Sequence, residues 1–180
     1  MKYGYLKLVG FIFVGFFYYF FCYANVSVNF SVDPGQITWG VSSGLSLGTI
    51  EAGQTQQVLT GQFAGYFWVQ DLKGSDTGWT TTVNCDGLYG PQGSIITGIY
   101  LKAGNSSPNL LLGTIGNVLI NQNLINDYEP IEVSISYIHR PQGQNNGKIN
   151  KYGDIPYIKV IIPPYTPPGN YSGTIYFDLQ

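Results

Sequence analysis

Apolar side chains in this chain recur at every second residue, and hardly anywhere at every third or fourth. The clearest case is the segment 25–33, where Val26, Val28, Phe30 and Val32 alternate with Asn25, Ser27, Asn29, Ser31 and Asp33. Successive side chains of an extended strand point to opposite faces, so this pattern predicts a strand with one buried face. Asp33-Pro34-Gly35 ends it with turn-forming residues. The same signal returns in Tyr66–Gln70 and Trp79–Val83, both aromatic and β-branched, separated by the polar run Lys73-Gly74-Ser75-Asp76-Thr77-Gly78. The expectation is a hairpin in which Phe67 and Val69 share one face and Trp79, Thr81 and Val83 share the partner's. A lone hairpin is marginal in water, so further strands must cover it.

Those strands are available. Leu45–Gly53 reads as a short strand and a glycine-closed turn, followed by strands at Gln57–Thr60, Ser94–Lys102, Ile131–Ile138, Pro156–Ile162 and Asn170–Leu179. Ile131, Val133, Ile135 and Tyr137 fall on one side of their strand, and Ile175, Phe177 and Leu179 on one side of theirs. Ala103–Tyr128 is dense in Asn and Gly: Asn109–Leu112 and Val118–Ile120 fit short strands, and Leu119–Asp127 fits a helical turn. Gly87–Gly93 and Arg140–Gly153 read as loops, the second with Asn145-Asn146-Gly147 at its tip. The proline-rich stretch from Pro163 to Gly169 forbids helix. About eight or nine short strands without an amphipathic helix predict an all-β fold of packed antiparallel sheets, an immunoglobulin-like or jelly-roll-type β-sandwich, in preference to a barrel.

The first 24 residues have another character. Lys2 and Lys7 precede the apolar run Leu8–Phe21, and Cys22-Tyr23-Ala24 sets small residues where a signal peptidase reads. This is the layout of a secretory signal peptide cleaved after Ala24; an uncleaved anchor is the rival, although a run of 14 residues is short for a membrane span of about 20. Residues 25–180 then form a single domain, large enough for a real core. They hold six basic and ten acidic residues, a net charge near −4, which speaks against nucleic acid and against charge-driven binding to anionic membranes once the leader is gone. Cys85 is the one cysteine left after cleavage, so no internal disulfide forms; it reads as a small buried residue, with a free or intermolecular thiol as the alternative.

Two segments resemble a known family. The run from Val69 to Val83, Val-Gln-Asp-Leu-Lys-Gly-Ser-Asp-Thr-Gly-Trp-Thr-Thr-Thr-Val, is similar to a stretch of the WxL-type surface domains of Gram-positive bacteria. Pro167-Pro-Gly-Asn-Tyr-Ser-Gly-Thr-Ile-Tyr-Phe-Asp-Leu resembles their closing strand and the endings of fimbria-like envelope sandwiches. In place of the family's Trp-x-Leu, this chain has Trp79-Thr80-Thr81 and Tyr176-Phe177-Asp178. The resemblance implies a secreted β-sandwich held non-covalently at the cell wall, with peptidoglycan or another glycan as partner, or packed into a surface assembly. Independently, Gly169-Asn170-Tyr171 ahead of a strand has the form of a tyrosine corner, in which a phenol ties a loop to nearby backbone.

Parts for catalysis are few. His139 is the single histidine, and pairing it with Cys85 as a nucleophile requires geometry that the spacing does not supply. Glu129 and Glu132, three residues apart, point to opposite sides of an extended strand. Asp71 and Asp76 are calcium candidates, although their spacing is not that of an EF-hand loop, and turn-forming hydrogen bonds explain them as well. No phosphate-binding glycine loop, serine elbow or Cys-x-x-Cys occurs, so no cofactor is expected. Asn-x-Ser triplets stand at Asn25, Asn29, Asn105 and Asn170. Tyr66, Trp68, Tyr152, Tyr157 and Tyr165 are candidates for glycan or partner contact, with a place for Trp68 against the second sheet as the alternative. The sequence therefore points to a non-enzymatic, secreted, cell-surface structural or adhesive protein. Its partners are copies of itself, other surface proteins or a glycan, and Val26, Val28, Phe30 and Val32 form either a first strand or an assembly strand donated to a neighbour.

Overall fold

The computed structural model describes residues 31, 35–41, 45–144 and 149–180. The leader, the strand expected from Val26, Val28, Phe30 and Val32, and the loop tip at Asn145-Asn146-Gly147 lie outside the described residues.

Strands begin with β1 (Ile37–Val41), β2 (Gln57–Gln62), β3 (Phe67–Asp71) and β4 (Trp79–Cys85). After them come β5 (Leu88–Tyr89), β6 (Ile95–Ile96), β7 (Ile99–Lys102), β8 (Asn109–Gly113) and β9 (Leu119–Ile120). A five-residue helix, α1 (Gln122–Asn126), precedes β10 (Glu129–Pro130), β11 (Ile135–Arg140), β12 (Asn150–Asp154), β13 (Tyr157–Ile162) and β14 (Ile175–Leu179). All ladders among the described residues are antiparallel, in sheets ordered β1-β3-β12-β8, β10-β7-β13-β2 and β14-β4-β11-β9, with β5-β6 apart.

The first two sheets are one bent layer. Strands β12 and β13 are separated by Ile155-Pro156 alone, and β2 leads into β3 beside them. Pro156 has no N–H to give to a ladder, so pairing lapses there, yet its carbonyl accepts from Phe63 N at 3.0 Å and keeps the strands side by side. The sheet β14-β4-β11-β9 is the second layer of the sandwich. Phe67 from the first stacks on Phe177 from the second at 4.5 Å, with Tyr137 at 5.4 Å from Phe67. Each such aromatic pair stabilises the core by roughly 1 kcal/mol beyond its buried area. No helix among the described residues is long and apolar enough to cross a membrane.

Several expectations are corrected in detail. Tyr66–Gln70 and Trp79–Val83 do form strands with the predicted inward faces, but β3 and β4 lie in different layers, so they make an arch and not a hairpin. Their apolar faces look at each other across the core. Leu45–Gly53 is extended without strand pairing, whereas Ile37–Val41, unread in the sequence, is an edge strand. Ser94–Lys102 is broken between β6 and β7, where Gly98 O accepts from Ile161 N at 2.8 Å. Strand β11 begins at Ile135, which leaves Val133 75% exposed. The expected loop Arg140–Gly153 is shorter, because β11 runs through Arg140 and β12 starts at Asn150.

Candidate functional site

The arch end of the sandwich is closed by a buried ion pair. Asp71 ends β3 and Arg140 ends β11, both with fully buried side chains, and their guanidinium and carboxylate are in direct contact. Trp79 Nε1 donates to Asp71 Oδ2 at 3.2 Å, and Lys73 N donates to Oδ1 at 2.9 Å. Arg140 also donates to the carbonyls of Ser75 and Thr77 in the arch. The turn-forming role expected of Asp71 is therefore present. Of the two calcium candidates, Asp71 is engaged by a guanidinium and Asp76 is exposed; no group of three or more metal-ligating side chains occurs among the described residues.

The opposite end has no such closure among the described residues. Strand β2 is the last strand of its sheet and β14 the last of the facing one, so each has one edge without a ladder among the described residues. Between them lies a hollow of about 1030 Å³, lined by Leu59, Phe63, Ile99, Val160, Ile175 and Phe177. The extended arm 45–53 covers part of it with Leu45 and Leu47, which pack on the core. Gly61 makes room for them: a Cβ there would stand 2.7 Å from Leu47 Cδ2. Cys85 also reaches this hollow; it is buried, as expected of a small apolar residue, and burial pushes its thiol pKa up. His139 pairs with Thr80, five residues along β4 from Cys85, about 17 Å at strand rise, so the two do not meet.

The outer face of the bent layer carries the second feature. Strands β7 and β13 each hold a Tyr-x-Lys run, Tyr100-Leu101-Lys102 and Tyr157-Ile158-Lys159, and antiparallel pairing sets Tyr157 opposite Lys102 and Lys159 opposite Tyr100. Leu101 and Ile158 are buried inward, so the tyrosines and lysines face outward together. Lys159 Nζ lies 4.5 Å from the Tyr100 ring centre and 4.6 Å from that of Tyr128. Burial, and then the neighbouring Tyr157, raise the Tyr128 pKa.

The sequence-predicted contact residues are divided by this geometry. Tyr157 belongs to that outer cluster. Trp68 is half-buried on the same outer side, with Lys151 Nζ 3.7 Å from a ring centre, and a Cβ on its neighbour Gly40 would stand 2.7 Å from the ring. Tyr66 is half-buried near Gly153, and Tyr165 is 75% exposed with φ 61°. Tyr152 is a correction: it is 4% exposed, because β12 begins early enough to turn it inward, and its hydroxyl accepts from Gly116 N and donates to Gly116 O. Tyr100, Tyr128, Lys102 and Lys159 join the outer cluster unpredicted, and the repeated Tyr-x-Lys run is the sequence signal for it. Tyr171 forms the expected corner, its hydroxyl donating to Pro167 O at 2.9 Å and meeting Ser94 Oγ at 2.9 Å. The chain matches no family model, no curated protein and no solved structure.

Proposed function

We propose that this protein is a non-enzymatic, exported structural subunit that assembles by strand addition, the segment 25–33 of one copy completing the open seam of the next. The reading is carried by the apolar hollow between the edges of β2 and β14, which have no ladder among the described residues. An added strand would supply main-chain hydrogen bonds to such an edge and side chains to the hollow. Val26, Val28, Phe30 and Val32 have the required alternation, and as a strand they would span about 20 Å from first to last at 3.4 Å per residue. That length suits the six residues of β2.

Polarity favours a chain over a closed dimer. Gly35 N donates to Leu72 O at 3.1 Å, which fixes Gly35 at the arch end, whereas the hollow opens at the other. Donor and acceptor at opposite ends propagate head to tail without closing. The arm 45–53 occupies part of the seam without strand pairing, which makes it displaceable.

The test is electron microscopy and size-exclusion chromatography of the purified protein beside Val28→Asp and Phe30→Asp variants. Linear polymers that both substitutions abolish support the reading. A stable monomer in the unsubstituted protein, or polymers indifferent to both changes, sinks it.

A further inference from the structure

We infer that the outer face of β7 and β13 binds an acidic polysaccharide, its sugar rings lying on Tyr100, Tyr128 and Tyr157 and its carboxylates meeting Lys102 and Lys159. This inference is independent of strand addition, because these side chains face away from the hollow. Three observations carry it. The crossed Tyr-x-Lys runs put two cations and two rings into one outward patch, and Tyr128 on the neighbouring edge adds a third ring. Lys159 Nζ lies against ring faces, and Lys102 Nζ lies 5.8 Å from the Tyr128 ring centre and donates to Asn126 O at 3.4 Å, so each ammonium keeps N–H donors for an anion. Residues 25–180 are acidic overall, yet the outward positions of β2, β7 and β13 hold no carboxylate. Glu129, on the edge strand, stands opposite inward-facing Leu101 and so points away from the patch.

The chemistry selects the ligand class. Tyrosine faces stack on the C–H faces of sugars, and two lysines in a sheet spacing match charges spread along a chain of uronic acids. A nucleic acid would need many more cations to offset its phosphate charge and the repulsion of an acidic domain. A neutral glycan would leave the lysines without a role.

The experiment measures binding of the purified protein to polygalacturonate, to its methyl ester and to single-stranded polyuridylate by titration calorimetry at two salt concentrations. Variants are Lys102→Gln/Lys159→Gln and Tyr100→Ala/Tyr157→Ala, with thermal unfolding recorded for each. Polygalacturonate should bind more tightly than its ester or the RNA, and more weakly in high salt. Both double variants should lower its affinity about tenfold or more, a difference of about 1.4 kcal/mol. The lysine variant replaces surface ammonium groups with amides, so it keeps the test open even if the tyrosine variant unfolds. No binding to polygalacturonate, equal binding to the ester, tighter binding to the RNA, or an affinity unchanged by Lys102→Gln/Lys159→Gln would each overturn the assignment.

Discussion

Asp71 and Arg140 stand 69 residues apart in sequence and meet, fully buried, between the two layers of the sandwich. Each charge is tolerable in the interior because the other is there. Removing one partner strands a charge and costs about 3–5 kcal/mol. Asp71→Ala and Arg140→Ala should therefore each destabilise by that amount in denaturant titration. Asp71→Leu/Arg140→Met should recover most of the loss, and failure of the double change to recover any would show that the arch carbonyls of Ser75 and Thr77, not the charge pair, dominate.

The corner at Tyr171 is a second point of fixation. Its hydroxyl joins Pro167 O and Ser94 Oγ, which ties the proline-rich loop to the turn after β5. Tyr171→Phe keeps the ring and removes those bonds, so it should cost about 1–2 kcal/mol. Hydrogen exchange of the 163–172 backbone should rise in that variant. Unchanged exchange would mean that the ring alone holds the loop.

Alkaline pH should weaken the fold. Burial first, and Asp154 second, hold the Tyr137 pKa well above its ordinary 10.0, and burial raises Cys85 from 9.0. Both groups stay protonated in the folded protein at a pH where the unfolded chain has released the proton. Their contributions are thus complete below about pH 9 and lost as pH rises through 9 and 10 toward the folded values, at ~1.4 kcal/mol per pH unit for each proton. Unfolding midpoints should fall accordingly, and Cys85→Ala should remove the part that begins at the lower pH. A flat profile to pH 11 would contradict this.

Gly153 tests the outer surface of β12. A Cβ there would stand 2.8 Å from Phe67 O and 2.9 Å from Leu111 Cδ1. Because the first of these is backbone in a paired strand, Gly153→Ala should cost about 1–3 kcal/mol. Its thermal midpoint should drop, and Trp68 fluorescence should shift as the sheet adjusts. A midpoint equal to that of the parent would show that the strand yields freely.

Much of the architecture was legible because period-two alternation reports which side chains face inward. Spacing alone puts Phe67, Val69, Trp79, Val83 and Phe177 on the core face, and all are buried. Alternation does not report which strand lies alongside. Phe67–Asp71 and Trp79–Cys85 would show the same spacing in a hairpin as in an arch, and the deciding contact, Arg140 on Asp71, is remote in sequence. Arg140 opens a polar run that ends at Gly153, and such a run carries no signal of a buried strand end. Strand β1 was hidden by Gly40, which gives up a side chain so that Trp68 can lie over it. The Tyr-x-Lys face is not legible in sequence as one patch because its two halves are 57 residues apart and join only through the β7–β13 register.

The way β1 begins has a mechanical consequence. Gly35 and Gln36 are bonded to Leu72, and β1 then runs back along β3 with Val41 opposite Phe67. In a filament held at the hollow and pulled through the residues before Gly35, tension would run along the strand axis. All five paired positions of β1 and β3 would then bear the load in shear together, instead of unzipping one by one.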